Sequence, residues 1–127
     1  MRKKADKSQR SITTFAHTMK AISIKEPWAT RILKDGKTIE TRTWKTAYRG
    51  KLLLCASRYP KSDISGKAYA IAELVDCRPM RKEDQAAAMC KIYPRAYSWI
   101  LDDVMTIEPF EVLGQLGLFN VDVKGKL

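Results

Sequence analysis

The 127-residue sequence is poor in the residues that build metal centres and nucleophilic triads. It holds one histidine, His17, and three cysteines, Cys55, Cys77 and Cys90, with no CxxC pair among them. Zinc sites draw on clustered Cys and His, so no metal and no cofactor is expected. A Ser-His-Asp or Cys-His arrangement would have to use His17, which lies outside the patterned core. The cysteines are expected as free thiols, with Cys55 the least reactive because its segment is apolar on both faces. No apolar run reaches the ~18 residues that a membrane span needs. The basic N-terminus is not followed by the apolar stretch of a secretory signal. These absences predict a reduced, intracellular, cytoplasmic protein with no membrane partner. Acids are also scarce: 14 Asp and Glu stand against 24 Lys and Arg, a formal charge of +10. Such a balance favours a polyanionic partner, nucleic acid first. A solvated basic surface without a specific partner would give the same charge.

What is present suits one domain with one core: 45% apolar residues over a length typical of a single unit. Residues 1–19 carry Arg2, Lys3, Lys4, Lys7 and Arg10 against Asp6 alone and read as a flexible basic arm. It would serve either as a nucleic-acid contact or as a solubilising tail. The domain proper is expected over residues 20–127. "KAISI" reads as a strand, and "PWATRILKDG" as a helix opened by Pro27 and stopped by Gly36. "KTIETRTW", "GKLLLCAS" and "AYAIAELVDC" follow as strands, the middle one apolar throughout and so central. "RKEDQAAAMCKIY" predicts a second helix, and "YSWIL" and "GLFNVDV" further strands. "IEPFEV" is limited by Pro109 to an edge or a bend. About six short strands and two or more helices without βαβ alternation predict an α+β fold with a small closed or half-closed barrel.

The chemistry concentrates in "GKTIETRTWKTAYRG", residues 36–50. Alternate strand residues share a face, which puts Thr38, Glu40, Arg42 and Trp44 on one side and Ile39, Thr41 and Thr43 on the other. Glu40 and Arg42 lie roughly 7 Å apart along a strand, within reach of the Arg fork. A Glu that holds an Arg leaves the remaining guanidinium donors for a phosphate or a base edge. Trp28 and Trp44 offer faces for an unpaired base. A structural ion pair beside two core tryptophans remains the alternative.

"SIKEPWATRILKDGKTIETRTWKTAYRGKLLLCAS" resembles the opening of an ASCH domain, a member of the PUA-like superfamily. Pro27, Trp28 and Ala29 match its "xPWA" helix start. Lys37, Glu40 and Arg42 match "GxKxxExR", and Trp44, Tyr48, Arg49, Gly50, Ala56 and Ser57 match the elements that follow. "YSWIL" and "GQLGLFNV" resemble the closing strands. One departure is that the signature's first Gly falls on Asp35, with Gly36 one position later. The resemblance implies a PUA-like pseudo-barrel whose basic cleft binds nucleic acid, RNA or single-stranded. Contacts to phosphate or base would come from Lys25, Lys37, Arg42 and Arg49. Glu40 would orient Arg42 or accept from an amino group of a base, Trp28 and Trp44 would stack or wall the cleft, Ser57 would line its floor, and Arg58 and Lys61 would extend the rim. Some relatives are enzymes, which makes Lys37 and Glu40 the catalytic candidates of an alternative reading: hydrolysis of a modified nucleoside or of RNA. The amidohydrolase-like relatives place a Thr where this chain has Glu40, so that hydroxyl is missing here. A ribonuclease would lack a core His as proton carrier, although a Lys–Glu pair with shifted pKa values could take its place.

Overall fold

The computed structural model describes residues 17–127. The proposed basic arm therefore lies almost wholly outside the described residues. Six strands form one sheet: β1 (Thr18–Ile24), β2 (Ile39–Arg42), β3 (Gly50–Ala56), β4 (Lys67–Pro79), β5 (Tyr97–Glu111) and β6 (Leu118–Asp122). Their order across the sheet is β2-β5-β4-β3-β1-β6. Helix α1 (Trp28–Lys34) joins β1 to β2, and helix α2 (Gln85–Ala88) lies between β4 and β5, preceded by a 3₁₀ turn over Lys82–Asp84. The sheet curls into a half-barrel, the α+β pseudo-barrel that the sequence predicts. The curl brings β2, at one edge, back towards β1, the fifth strand in the order.

The core explains the curl. Ile22 and Ile24 of β1, Leu52 and Leu54 of β3, Leu74 of β4, and Trp99 and Leu101 of β5 pack together on the concave side, where α1 adds Ala29 and Ile32. Leu53 and Cys55 face the other way, against Ala21, Ala68, Ile71 and Phe119. β3 is thus buried on both faces, as its unbroken apolar run requires. Each fully buried Leu there contributes about 1.5–3 kcal/mol. The Cys55 thiol shares this burial, which pushes its pKa up to about 12. Cys55, Cys77 and Cys90 are all free.

Two expectations need correction. "YSWIL" and "IEPFEV" are not separate strands. They are the two ends of β5, which runs 15 residues against the 13 of β4. The two strands stay paired because the register slips three times, between Ala68 and Ala70, Ile71 and Glu73, and Leu74 and Asp76. Pro109 falls in the first of these bulges, where no ladder donor is required of it. The helix expected over residues 81–93 is also much shorter, and its continuation is pre-empted by other partners. Lys37 Nζ takes the Ala88 carbonyl at 2.5 Å and Thr38 N takes that of Ala87 at 3.1 Å. Met89 turns left-handed, at φ 57°, and Ile92 N donates to the Gln85 side chain at 2.8 Å instead of to a helical carbonyl. Tertiary partners override the local pattern here.

Asp84 ties this connection down. Its carboxylate accepts two bonds from Arg78, at 2.7 and 3.0 Å, one from Ser98 Oγ at 2.9 Å and one from Arg81 N at 2.9 Å. The Arg78 bonds, aided by those of Arg81 and Ser98, outweigh burial and hold the carboxyl well below its ordinary 3.8. A depressed carboxylate pKa stabilises the fold above the unfolded value, and that contribution is lost as pH falls through the folded one. Stability to denaturant is therefore expected to drop as pH is lowered below about 4, and Asp84→Asn is expected to be less stable at neutral pH but flatter across that window. Parallel pH profiles for the two proteins would refute this assignment.

Candidate functional site

The seam where β2 returns to β1 is built from strand ends. β1 and β3 run parallel, with Ser23 opposite Cys55 and Ile24 opposite Ala56. Both therefore finish at the same edge and bring Ser23, Lys25 and Ser57 together, with Ser57 N donating to Ile24 O at 2.9 Å. β2 supplies the facing side. Ile39 turns outward to Met80 and Ala88, and Thr41 accepts a bond from the Tyr93 hydroxyl at 2.9 Å. Period-two alternation then directs Glu40 and Arg42 into the seam.

Arg42 spans that seam. Its Nε donates to Glu40 Oε2 at 3.1 Å, and its Nη2 donates to the Ser23 carbonyl at 2.6 Å. A guanidinium has five N–H donors, so two are spent on fixing the group and three remain. Lys37 holds Glu40 from the other side. Its ammonium, 2% exposed, donates to the carbonyls of Ile39 at 2.7 Å and Ala88 at 2.5 Å and lies 3.8 Å from Glu40 Oε1. Burial lowers the Lys37 pKa, and the Glu40 charge opposes that shift. The Glu40 carboxylate, itself buried, thus sits between two cations with lone pairs left to accept a ligand's N–H. The Trp28 indole lies next to these charges, its ring centroid 5.1 Å from Lys37 Nζ and 5.4 Å from Arg31 Cζ. Such cation–π contacts are favourable and steady the ring.

Together these groups bound a cleft of about 330 Å³. Of the residues singled out from the sequence, Lys25, Trp28, Glu40, Arg42 and Ser57 line it. Lys37 lies beneath, donating to two main-chain carbonyls with Glu40 Oε1 3.8 Å away. Trp44 is away from the cleft: it packs edge-on against Trp99, centroids 4.8 Å apart, and its carbonyl accepts from Trp99 Nε1 at 3.3 Å. Arg49 donates to the carbonyls of Thr46 and Tyr48 and sits 3.5 Å from Asp76. Arg58 lines an adjoining cavity, and Lys61 Nζ lies 5.6 Å from the Tyr59 ring.

One wall of the cleft carries no periodic signal in the sequence. Gln115, Leu116 and Gly117, just before β6, close the cleft opposite Trp28, and Ser23 lies at its base. Glu26 likewise stands outside the residues singled out from the sequence. It precedes α1 and accepts from Thr30 N at 2.9 Å and Thr30 Oγ1 at 2.7 Å. Burial opposes its ionisation, but bonds from Ser62 and Thr30 prevail and lower its pKa. The only signal for the missing wall is the pair of glycines in "GQLG", which allows a strap without regular structure. Among the described residues, no three His, Cys, Asp or Glu side chains gather to hold a metal ion.

The ASCH domain family model matches residues 22–111. Among solved structures, the chain is similar to an ASCH protein from Zymomonas mobilis, with a TM-score of 0.55 and 16% identity over 73% of each chain. A Tyr-to-Phe mutant of that protein gives 0.54 at 16% identity, over 73% of this chain and 75% of that one. A Ser-to-Ala mutant gives 0.53 at 16%, over 72% of each. At such identity the likeness concerns the fold. No curated protein matches the sequence.

Proposed function

The chain belongs to the ASCH domain family, and we propose that its cleft binds single-stranded nucleic acid, RNA first, by taking in one base. The observation that carries this is the Glu40–Arg42 pair fixed in the cleft beside Trp28. A base stacked on Trp28 would set its polar edge against a carboxylate that accepts and a guanidinium that donates, the two functions every base edge presents. The backbone would then pass over the hydroxyls of Ser23 and Ser57 and leave beside Lys25, which is exposed. The charge of +10 supplies attraction for the polyanion that does not depend on sequence.

The hydrolytic alternative has less support in the geometry. Lys37 has the lowered pKa that such chemistry uses, but its ammonium donates to two main-chain carbonyls and is ion-paired with Glu40 at 3.8 Å. A group so engaged lacks the reach to an entering substrate that proton transfer needs.

Titration with a fluorescent single-stranded RNA tests the proposal. Affinity is expected to fall steeply with salt, and Trp28→Ala is expected to weaken binding about tenfold, as loss of one stacked base does. Binding that is flat in salt and indifferent to Trp28 would sink it.

A further inference from the structure

The cleft is not isolated. A second cavity, of about 440 Å³, adjoins it, and the two share Ser23, Ser57, Gln115 and Leu116. What separates them is the strap of residues 113–117 leading into β6. The strap is seated closely on Ser23: a Cβ at Gly114 would come within 2.8 Å of Ser23 Oγ, so only glycine fits without displacement. On the far side, the second cavity has an apolar wall of Val112 and Leu113 and one full charge, Arg58. Leu113 and Leu116 are 77% and 98% exposed, apolar surface that the protein itself leaves uncovered.

On the reading of the first cleft given above, we infer that the second cavity is a subsite for the neighbouring nucleotide, so that the unit recognised is a dinucleotide. The shared floor is made of hydroxyls, Ser23 and Ser57, which suit the phosphodiester that must pass between two bases. Arg42 flanks that floor on one side and Arg58 on the other, so the linking phosphate would lie between two guanidiniums. The apolar wall of Val112 and Leu113 suits the face of a base or sugar, while the polar first cleft suits a base edge. The division of labour is one subsite that reads and one that grips. Single-stranded binders use stacking and backbone charge in the same combination. The inference also explains why exposed leucines stand on a basic protein at this strap: they would be covered once the second nucleotide is in place.

The test compares ApA, CpC, GpG and UpU with the corresponding 5′-mononucleotides by calorimetric or fluorescence titration at fixed ionic strength. At least one dinucleotide is expected to bind roughly tenfold more tightly than its mononucleotide, as when a second contact becomes intramolecular. Arg58 is exposed, so Arg58→Gln should fold normally, which a thermal melt checks. This variant is expected to lose most of the dinucleotide advantage and leave mononucleotide binding within about twofold, since only one phosphate contact is removed. Equal affinity for dinucleotides and mononucleotides would overturn the second subsite and leave the first cleft standing. An Arg58→Gln variant that weakens both ligands equally, or neither, would also overturn it. If no nucleotide of either length binds, the nucleic-acid reading of the cleft fails, and the subsite with it.

Discussion

Replacing Lys37 by Ala is expected to lower stability by about 3–5 kcal/mol, the cost of breaking a buried charge network by removing one member. Lys37 is 2% exposed, yet it is the only ammonium among the described residues buried to that degree. It meets three groups on two elements: the Ile39 carbonyl and the Glu40 carboxylate of β2, and the Ala88 carbonyl that ends α2. Its loss orphans both carbonyls and leaves Glu40 with Arg42 alone. Lys37→Met, which keeps most of the stem volume, is expected to lose less than Ala but still more than about 1 kcal/mol, because a buried acceptor without a donor carries its own penalty. Adding Glu40→Gln to Lys37→Met should restore part of that loss, since the buried carboxylate, then held by Arg42 alone, is replaced by a neutral amide. Urea unfolding of the three variants measures all of this. Lys37→Ala within about 1 kcal/mol of wild type would show that the network holds nothing together.

The lowered pKa of Lys37 adds a signed check. A folded-state amine pKa below its ordinary 10.5 means that the unfolded chain binds the extra proton in the window between the two values. Stability of the wild type relative to Lys37→Met should therefore rise as pH climbs towards 10.5. A difference that narrows or reverses over that window would show the ammonium to be comfortable where it is.

The same residue shows what was legible beforehand and what was not. That Glu40 and Arg42 share a face follows from strand periodicity alone, and the structure bonds them at 3.1 Å. That β3 is central follows from five successive buried residues, Leu52 to Ala56. Lys37 was readable as important but not as buried. A lysine in "GKTIE" carries no mark that a carbonyl 51 residues further along the chain will be its partner. The early end of α2 has the same cause, since its local pattern is helical and the competing donors, Lys37 and Thr38, come from a distant loop. Trp44 read as a cleft wall because it alternates correctly with Glu40 and Arg42. However, β2 ends at Arg42, so the alternation no longer holds two residues later, and the ring is free to pack on Trp99. The wall made by Gln115 and Leu116 was hidden because it lies in a strap, where no periodicity reports which way a side chain faces.

Glu40→Gln is expected to weaken single-stranded RNA binding even though it raises the net positive charge. The carboxylate fixes Arg42 Nε, and a neutral amide holds a guanidinium less firmly than an ion pair with a charge-assisted bond. Arg42 then keeps only its bond to the Ser23 carbonyl, and the three free donors are no longer presented in one orientation. A surface that attracted RNA by charge alone would respond in the opposite sense and bind more tightly. Arg42→Lys is the companion variant. It preserves the charge but loses the planar fork and cannot reach Glu40 and Ser23 while also serving a ligand. The expected loss is about 1–3 kcal/mol if the free donors meet a base edge, and near zero if Arg42 only adds charge. Arg42→Lys keeps its charge and should leave the salt slope unchanged in either case, so the affinity itself decides, whereas a Lys25→Gln control should reduce the slope by about one. Thermal melts must show both cleft variants folded, which Arg42 permits because it is only partly buried. Tighter binding by Glu40→Gln, together with Arg42→Lys at wild-type affinity, would reduce the pair to a structural ion bridge closing the seam between β1 and β2.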